Sequence, residues 1–108
     1  MATLHRETDV LDRILTECED DYVGLWSIYR QVNEAGIADA KAFTLALIDF
    51  LLSVGMVEAG VPDASGGFHA WNLNPTEAIL RIEKEWSSLG RKISIGDIVW
   101  FTTPTTAP

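Results

Sequence analysis

The segment NPTEAILRIEKEWSSLG, residues 74–90, constrains the fold more than any other part of the sequence. Asn74 can cap a helix, Pro75 suits the first helical position, and Glu77 can return a hydrogen bond to the cap. Gly90 supplies a stop. Between these signals, apolar side chains recur at helical spacing, at Ile79, Ile82, Trp86 and Leu89. The segment therefore predicts an amphipathic helix, and such a helix requires a core to pack against.

Three further helices are predicted before this one. Thr8 can cap the first, which has one apolar face and ends near an acidic run, because carboxylates oppose the dipole at a helix C-terminus. The second is predicted over residues 23–34, and the third runs from the cap Asp39 to Val54 with Gly55 as its stop. The apolar face of the first helix consists of Leu11, Ile14, Leu15 and Cys18, and the acidic run of Glu17, Glu19, Asp20 and Asp21.

Three short strands complete the prediction. Residues 56–60 and 68–73 flank the turn-rich segment 61–67 and predict a hairpin, and residues 93–101 predict a final strand. The expected fold class is mostly α with a small antiparallel β hairpin (α+β), in which a three-helix core precedes the hairpin, the C-terminal helix and the last strand. We expect a single domain over residues 8–101, with flexible tails over 1–7 and 102–108.

This order of elements resembles the winged helix-turn-helix superfamily. The stretch GLWSIYRQVNEAG is similar to its second helix, and LALIDFLLSVGMVEAG is similar to its third helix passing into the first strand of the wing. Gly66 and Gly67 fall where the tip of the wing is expected. The resemblance covers roughly residues 8–89 and consists of element order and apolar spacing. It implies a three-helix core with a wing, and this fold does not by itself imply DNA binding.

The charge pattern favours a protein partner over nucleic acid. Sixteen Asp and Glu residues against eight Lys and Arg give a net charge of −8. No Lys or Arg occurs between Lys41 and Arg81, so the third helix beyond its start and the hairpin have no cations for phosphate contacts. The acidic balance instead fits a basic partner protein. DNA binding is the alternative, and it would use Lys41, Arg81, Lys84, Arg91 and Lys92.

The sequence offers little for catalysis or metal binding. It has two histidines and one cysteine, and it lacks phosphate-binding glycine motifs, a nucleophile elbow and zinc-ligand spacing. Cys18 lies on an apolar helix face and is predicted to be a buried, inert thiol. We therefore expect neither an enzyme nor a cofactor or metal site. The lone cysteine and the absence of a long apolar run predict a cytoplasmic protein without membrane contact.

The third helix carries more apolar residues than one core requires. One stripe, assigned to the core, comprises Phe43, Leu47, Phe50, Leu51 and Val54. A second stripe comprises Leu45, Ile48 and Leu52. This second stripe is covered either by the chain itself or by a partner, and we predict a homodimer interface that also includes Ile98 and Trp100. The expected function is a non-catalytic interaction module with an adaptor, inhibitor or immunity-like role; the alternative is a winged-helix transcriptional regulator.

Overall fold

Four helices and four short strands lie within residues 2–104, which are the residues that the computed structural model describes, with side chains from Thr8 onward. Met1 and residues 105–108, which fall in the predicted tails, lie outside the described residues. The predicted α+β class is confirmed. The elements are α1 Ala2–Asp20, β1 Val23–Gly24, α2 Leu25–Glu34, α3 Ala40–Ser53, β2 Glu58–Pro62, β3 Phe68–Ala70, α4 Pro75–Ser88 and β4 Trp100–Thr102.

The first helix and the last strand extend beyond their predicted bounds. Because α1 begins at Ala2, Thr8 lies inside the helix and does not cap it. The predicted end of this helix is correct, since α1 stops at Asp20 within the acidic run. At the other end of the domain, β4 reaches Thr102. No helix among the described residues has the length and hydropathy needed to cross a bilayer.

The four strands form one antiparallel sheet in the order β1-β4-β2-β3. Phe101 of β4 pairs with Val23 of β1 on one side and with Ala59 of β2 on the other, and its side chain is buried. The predicted strand over residues 93–101 is wrong for most of its length. Ile98 has φ 70° and Gly96 has φ 85°, and these conformations keep the backbone out of the extended region until Trp100.

The predicted hairpin is present as β2 and β3, although β2 lies two residues further along the chain than predicted and β3 is shorter than predicted. The Asp63 carboxylate closes the turn by accepting hydrogen bonds from the backbone N–H groups of Ser65 (2.9 Å) and Gly67 (3.0 Å). The Ser65 hydroxyl also donates to Asp63 Oδ1 (2.6 Å), and this hydrogen bond, followed by the two from the backbone, lowers the pKa of Asp63. The two strands approach closely at Gly60, where a Cβ atom would collide with the carbonyl oxygen of His69.

The capping signals of α4 are confirmed in full. Glu77 N–H donates to Asn74 Oδ1 (2.8 Å), and Asn74 N–H donates to Glu77 Oε1 (3.3 Å). The helix buries Ile82 and Trp86. The Trp86 ring meets the Tyr29 ring edge-on at 5.1 Å, which joins α4 to α2. Helix α3 packs against both of these helices and completes the helical layer.

The predicted faces of α3 require correction. Ile48, which was assigned to the surplus stripe, has 0% exposure and lies in the core, together with Leu47 and Leu51. Phe50 and Val54, which were assigned to the core, are 50% and 51% exposed. The buried line of α3 also includes Thr44, a polar residue that an apolar pattern does not select. Since apolar residues occur all around this helix, periodicity alone does not determine which face points inward.

Candidate interaction surface

The C-terminal end of α3 exposes a group of apolar side chains. Gly55, at φ 76°, donates its N–H to Leu52 O (3.2 Å), and Met56 N–H donates to Leu51 O (3.0 Å), which is the Schellman arrangement. This turn folds the chain back over the last turn of α3. Met56, which is 45% exposed, follows this turn directly, and Phe50 and Val54 lie four residues apart on one side of the helix. We call Phe50, Val54 and Met56 the α3 patch.

The remaining exposed positions of α3 carry no positive charge. The exposed residues before the patch are Ala42, Ala46, Asp49 and, beside it, Ser53. Asp49 is the charged member of this group. Lys41, at the start of the helix, is turned toward α4, where its Nζ atom lies 3.4 Å from Ser87 Oγ and 5.2 Å from the centre of the Trp86 ring. The solvent-facing side of α3 is therefore apolar and acidic.

Besides Lys41, two of the cations predicted for the DNA alternative take part in contacts within the chain. The Arg81 guanidinium lies 3.9 Å from the centre of the Trp71 ring, and its Nε atom lies 2.7 Å from Glu85 Oε2. Arg91 forms a salt bridge with Asp97. Lys84 is exposed on α4, and Lys92 is exposed in the loop before β4. Apart from Lys41, these cations lie on α4 and the loop after it, and not on α3 or the hairpin.

The residues predicted as a homodimer interface do not form one exposed surface. Leu45 and Leu52 are half-buried against the core, and Ile48 has no exposed area. Ile98 lines an open groove along α4, whereas Trp100 lines a different hollow near the end of α1. The final strand is paired on both sides. Both premises of the predicted interface, an exposed stripe and an unpaired strand, are therefore absent from the described part of the chain.

The remaining candidates for chemistry are the Cys18 thiol and the side chains that can bind a metal ion. Cys18 is buried, and burial raises the pKa of its thiol to about 12, with a smaller contribution from the charge of Glu17. The thiol is therefore protonated at neutral pH, as predicted for an inert cysteine. Within residues 8–104, no three His, Cys, Asp or Glu side chains are grouped in a way that could hold a metal ion.

Comparison of the chain with protein-family models, with curated proteins and with solved structures gave no match. The α3 patch was missed by sequence reasoning because Phe50 and Val54 fit the spacing of a core stripe. The Val54-Gly55-Met56 stop was the available signal, because a glycine turn of this kind commonly brings the residue after the glycine near the last turn of the helix.

Proposed function

We propose that this chain is a non-catalytic, acidic interaction module of winged-helix type, and that it binds a partner protein through the α3 patch. The observation that carries the proposal is the solvent-facing side of α3 and the turn that ends it, which combine the three exposed apolar side chains of the α3 patch with Asp49 and have no exposed cation. A contiguous exposed apolar group is typical of a protein-binding surface. An adaptor or an inhibitor of a basic protein would use such a surface.

The order of elements supports the winged-helix part of the proposal. Helix α3 is the third helix of the chain and leads directly into the β2–β3 hairpin, as the resemblance implies. In the proposed winged-helix arrangement, α3 corresponds to the helix that reads bases in DNA-binding members of this superfamily. A reading helix requires donors and cations on its exposed side, whereas α3 presents Ala42, Ala46 and Phe50 there. We therefore propose that α3 is the binding helix, as in DNA-binding members of the superfamily, and that its ligand is a protein and not DNA.

Charge favours a partner of a different sequence over a second copy of this chain. Two copies would bring two domains of net charge −8 together, and Asp49 lies beside the patch on each of them. A basic rim around an apolar centre would complement the patch without this repulsion. Homodimerisation is the competing arrangement, and the mass of the complex distinguishes a homodimer from a complex with a different protein.

A site-specific photocrosslinker tests the surface directly. A benzoylphenylalanine residue at position 50, expressed in the native host, should give a crosslinked product that is lost when Val54→Asp is added. The same group at position 80 is the matched control, because Leu80 is 62% exposed on α4, outside the patch. A product of twice 11.9 kDa would assign the patch to self-association. Equal products from both positions, or none from position 50, would contradict the proposal.

DNA binding is tested on the purified protein. We expect no mobility shift with mixed-sequence duplex DNA at micromolar protein concentration, because affinity for the phosphate backbone requires cations on the docking face. A shift that weakens steeply with added salt, and that disappears when Arg81, Lys84, Arg91 and Lys92 are neutralised together, would establish the regulator alternative instead.

A further inference from the structure

A second concave site lies on another part of the domain. A hollow of about 340 Å³ opens where the end of α1, strand β1 and the first turn of α2 meet the loop before β4. Its wall combines carboxylates with aromatic rings, and no Lys or Arg among the described residues lines it. We call it the acidic hollow, and it is defined by Glu17, Asp20, Asp21, Tyr22, Trp26 and Trp100.

The negative charge of the acidic hollow is not balanced by neighbouring groups. Asp20 is the last residue of α1, and the last turn of this helix contains no basic residue. Carboxylates at a helix C-terminus are repelled by the negative end of the helix dipole. Within residues 8–104, ion pairs are formed by Arg81 and Arg91, and neither involves a carboxylate of the hollow. A bound cation would relieve this repulsion.

The aromatic rings specify which kind of cation fits. Indole faces attract guanidinium and ammonium groups through their quadrupole, and Trp26 already has such a contact with Arg30, whose Cζ atom lies 4.8 Å from the ring centre. Arg30 does not line the acidic hollow; it lines a neighbouring one, and Trp26 forms part of both walls. The Trp26 ring thus already contacts one guanidinium group, while no Arg of the described residues lines the acidic hollow.

The wall is held in place by the surrounding fold. Trp100 belongs to the central strand and lies over Gly24, where an added Cβ would be 3.5 Å from the ring. Ile95 and Gly96, which also line the hollow, belong to the loop that the Arg91–Asp97 salt bridge closes. A site whose walls are fixed before binding loses less conformational entropy when a ligand enters.

We propose that the acidic hollow binds an arginine side chain from a basic segment of a partner protein. A guanidinium group can donate to carboxylates in a planar fork and stack on an indole, whereas an ammonium group offers a point charge. The volume of the hollow and the absence of a metal-binding group of side chains in residues 8–104 favour an organic cation over a metal ion. The inference is independent of the α3 patch, because it depends on different residues.

The indole N–H signals of the four tryptophans provide the test. A capped glycine-arginine-arginine-glycine peptide, titrated into the intact protein, should shift the Trp26 and Trp100 signals in a heteronuclear NMR spectrum and leave Trp71 and Trp86 unchanged. The same peptide with citrulline in place of arginine is the neutral isostere, and it should cause no shift. Assignment follows from single Trp→Phe variants.

Charge variants distinguish peptide binding in the acidic hollow from general attraction to the net negative charge of the protein. Asp20→Asn combined with Asp21→Asn should weaken binding of the arginine peptide by about fivefold or more. Asp12→Asn combined with Glu19→Gln removes the same charge from the same helix outside the hollow, and it should change the affinity by less than about twofold. Indole signals of the unbound variants show whether the fold is retained.

Several outcomes would overturn the proposal. Equal losses in the two double variants would mean that the peptide responds only to net charge. Shifts caused equally by the citrulline peptide would exclude cation recognition, and equal binding of a lysine peptide would exclude the guanidinium assignment. Shifts of the same two indoles with calcium chloride alone would identify a metal site. A failed crosslink at the α3 patch would leave all of these measurements unaffected.

Discussion

The Arg91 guanidinium binds the Asp97 carboxylate through two hydrogen bonds, one from Nη1 to Oδ2 (2.8 Å) and one from Nη2 to Oδ1 (2.9 Å). The same carboxylate accepts a hydrogen bond from Ser94 N–H (2.7 Å). The hydrogen bond from Arg91 is the largest cause of a pKa of Asp97 far below its ordinary value, followed by the bond from Ser94. These contacts fix the loop that leads into the central strand of the sheet.

Replacement of Asp97 with Asn should lower the melting temperature in a pH-dependent manner. Because the folded-state pKa of Asp97 is below its unfolded value of about 3.9, the ion pair contributes stability above about pH 4. This contribution is lost as the pH falls through the folded-state pKa. The difference between wild type and variant, measured by circular dichroism, should be constant between about pH 5 and 8 and should shrink below about pH 4. Asp12→Asn controls for the removal of one charge, and an equal effect there would contradict the role of the loop contact.

Replacement of Trp86 with Ala should destabilise the domain by about 3–5 kcal/mol, because its ring is 8% exposed and packs edge-on against Tyr29. Leu80→Ala on the same helix is the matched control, and its 62% exposed side chain should cost less than about 0.5 kcal/mol. Urea unfolding measures both values. A loss below about 1 kcal/mol for the Trp86 variant would mean that this face of α4 is not part of the core.

Replacement of Thr44 with Val should stabilise the domain by about 1 kcal/mol. The Thr44 hydroxyl is fully buried and has no hydrogen-bond partner among the described residues, and Val has nearly the same shape without the cost of desolvating a polar atom. Thr44→Ser keeps the hydroxyl and removes the methyl group, so it should destabilise by about 1 kcal/mol. If the Val variant is less stable than wild type in urea unfolding, the hydroxyl does have a partner.

The Cys18 thiol should react with iodoacetamide at least about a hundredfold more slowly in the folded protein than in urea, measured at about pH 8 by mass spectrometry. Two causes act together, burial of the sulfur and a pKa raised from 9.0 to about 12. Since the folded-state pKa is above the unfolded one, the associated stability is complete below about pH 9 and declines as the pH rises toward 12. Comparable rates in both states would show that the end of α1 opens readily.

Local signals predicted the elements of this fold well. The cap at Asn74, the cap at Asp39 and the stop at Gly55 all appear where the sequence places them, because each depends on hydrogen bonds and dihedral angles within a few residues. The final strand was predicted less well, since nothing in the sequence around Ile98 announces a left-handed conformation for a β-branched residue. The salt bridge between Arg91 and Asp97 closes the loop before β4, and the strand propensities of the individual residues give no indication of this contact.

The candidate surfaces were less predictable than the elements. The α3 patch depends on which side of an apolar helix faces α2 and α4, and this is decided by tertiary packing that buries Thr44 in preference to Phe50. The acidic hollow joins the carboxylates of α1 with Trp26 and Trp100, which are distant in the sequence. The acidic run alone was visible from the sequence, and its aromatic neighbours were not.

The position of β4 at the centre of the sheet has a consequence for synthesis on the ribosome. The neighbours of β4, strands β1 and β2, are both translated earlier, yet they are joined only through Phe101 and its adjacent residues. While the chain is growing, the sheet therefore has a gap, and the backbone groups of β1 and β2 that will bind β4 are open to water or to other nascent chains. The gap closes only when β4, the last element in the described part of the chain to be synthesised, has left the ribosome.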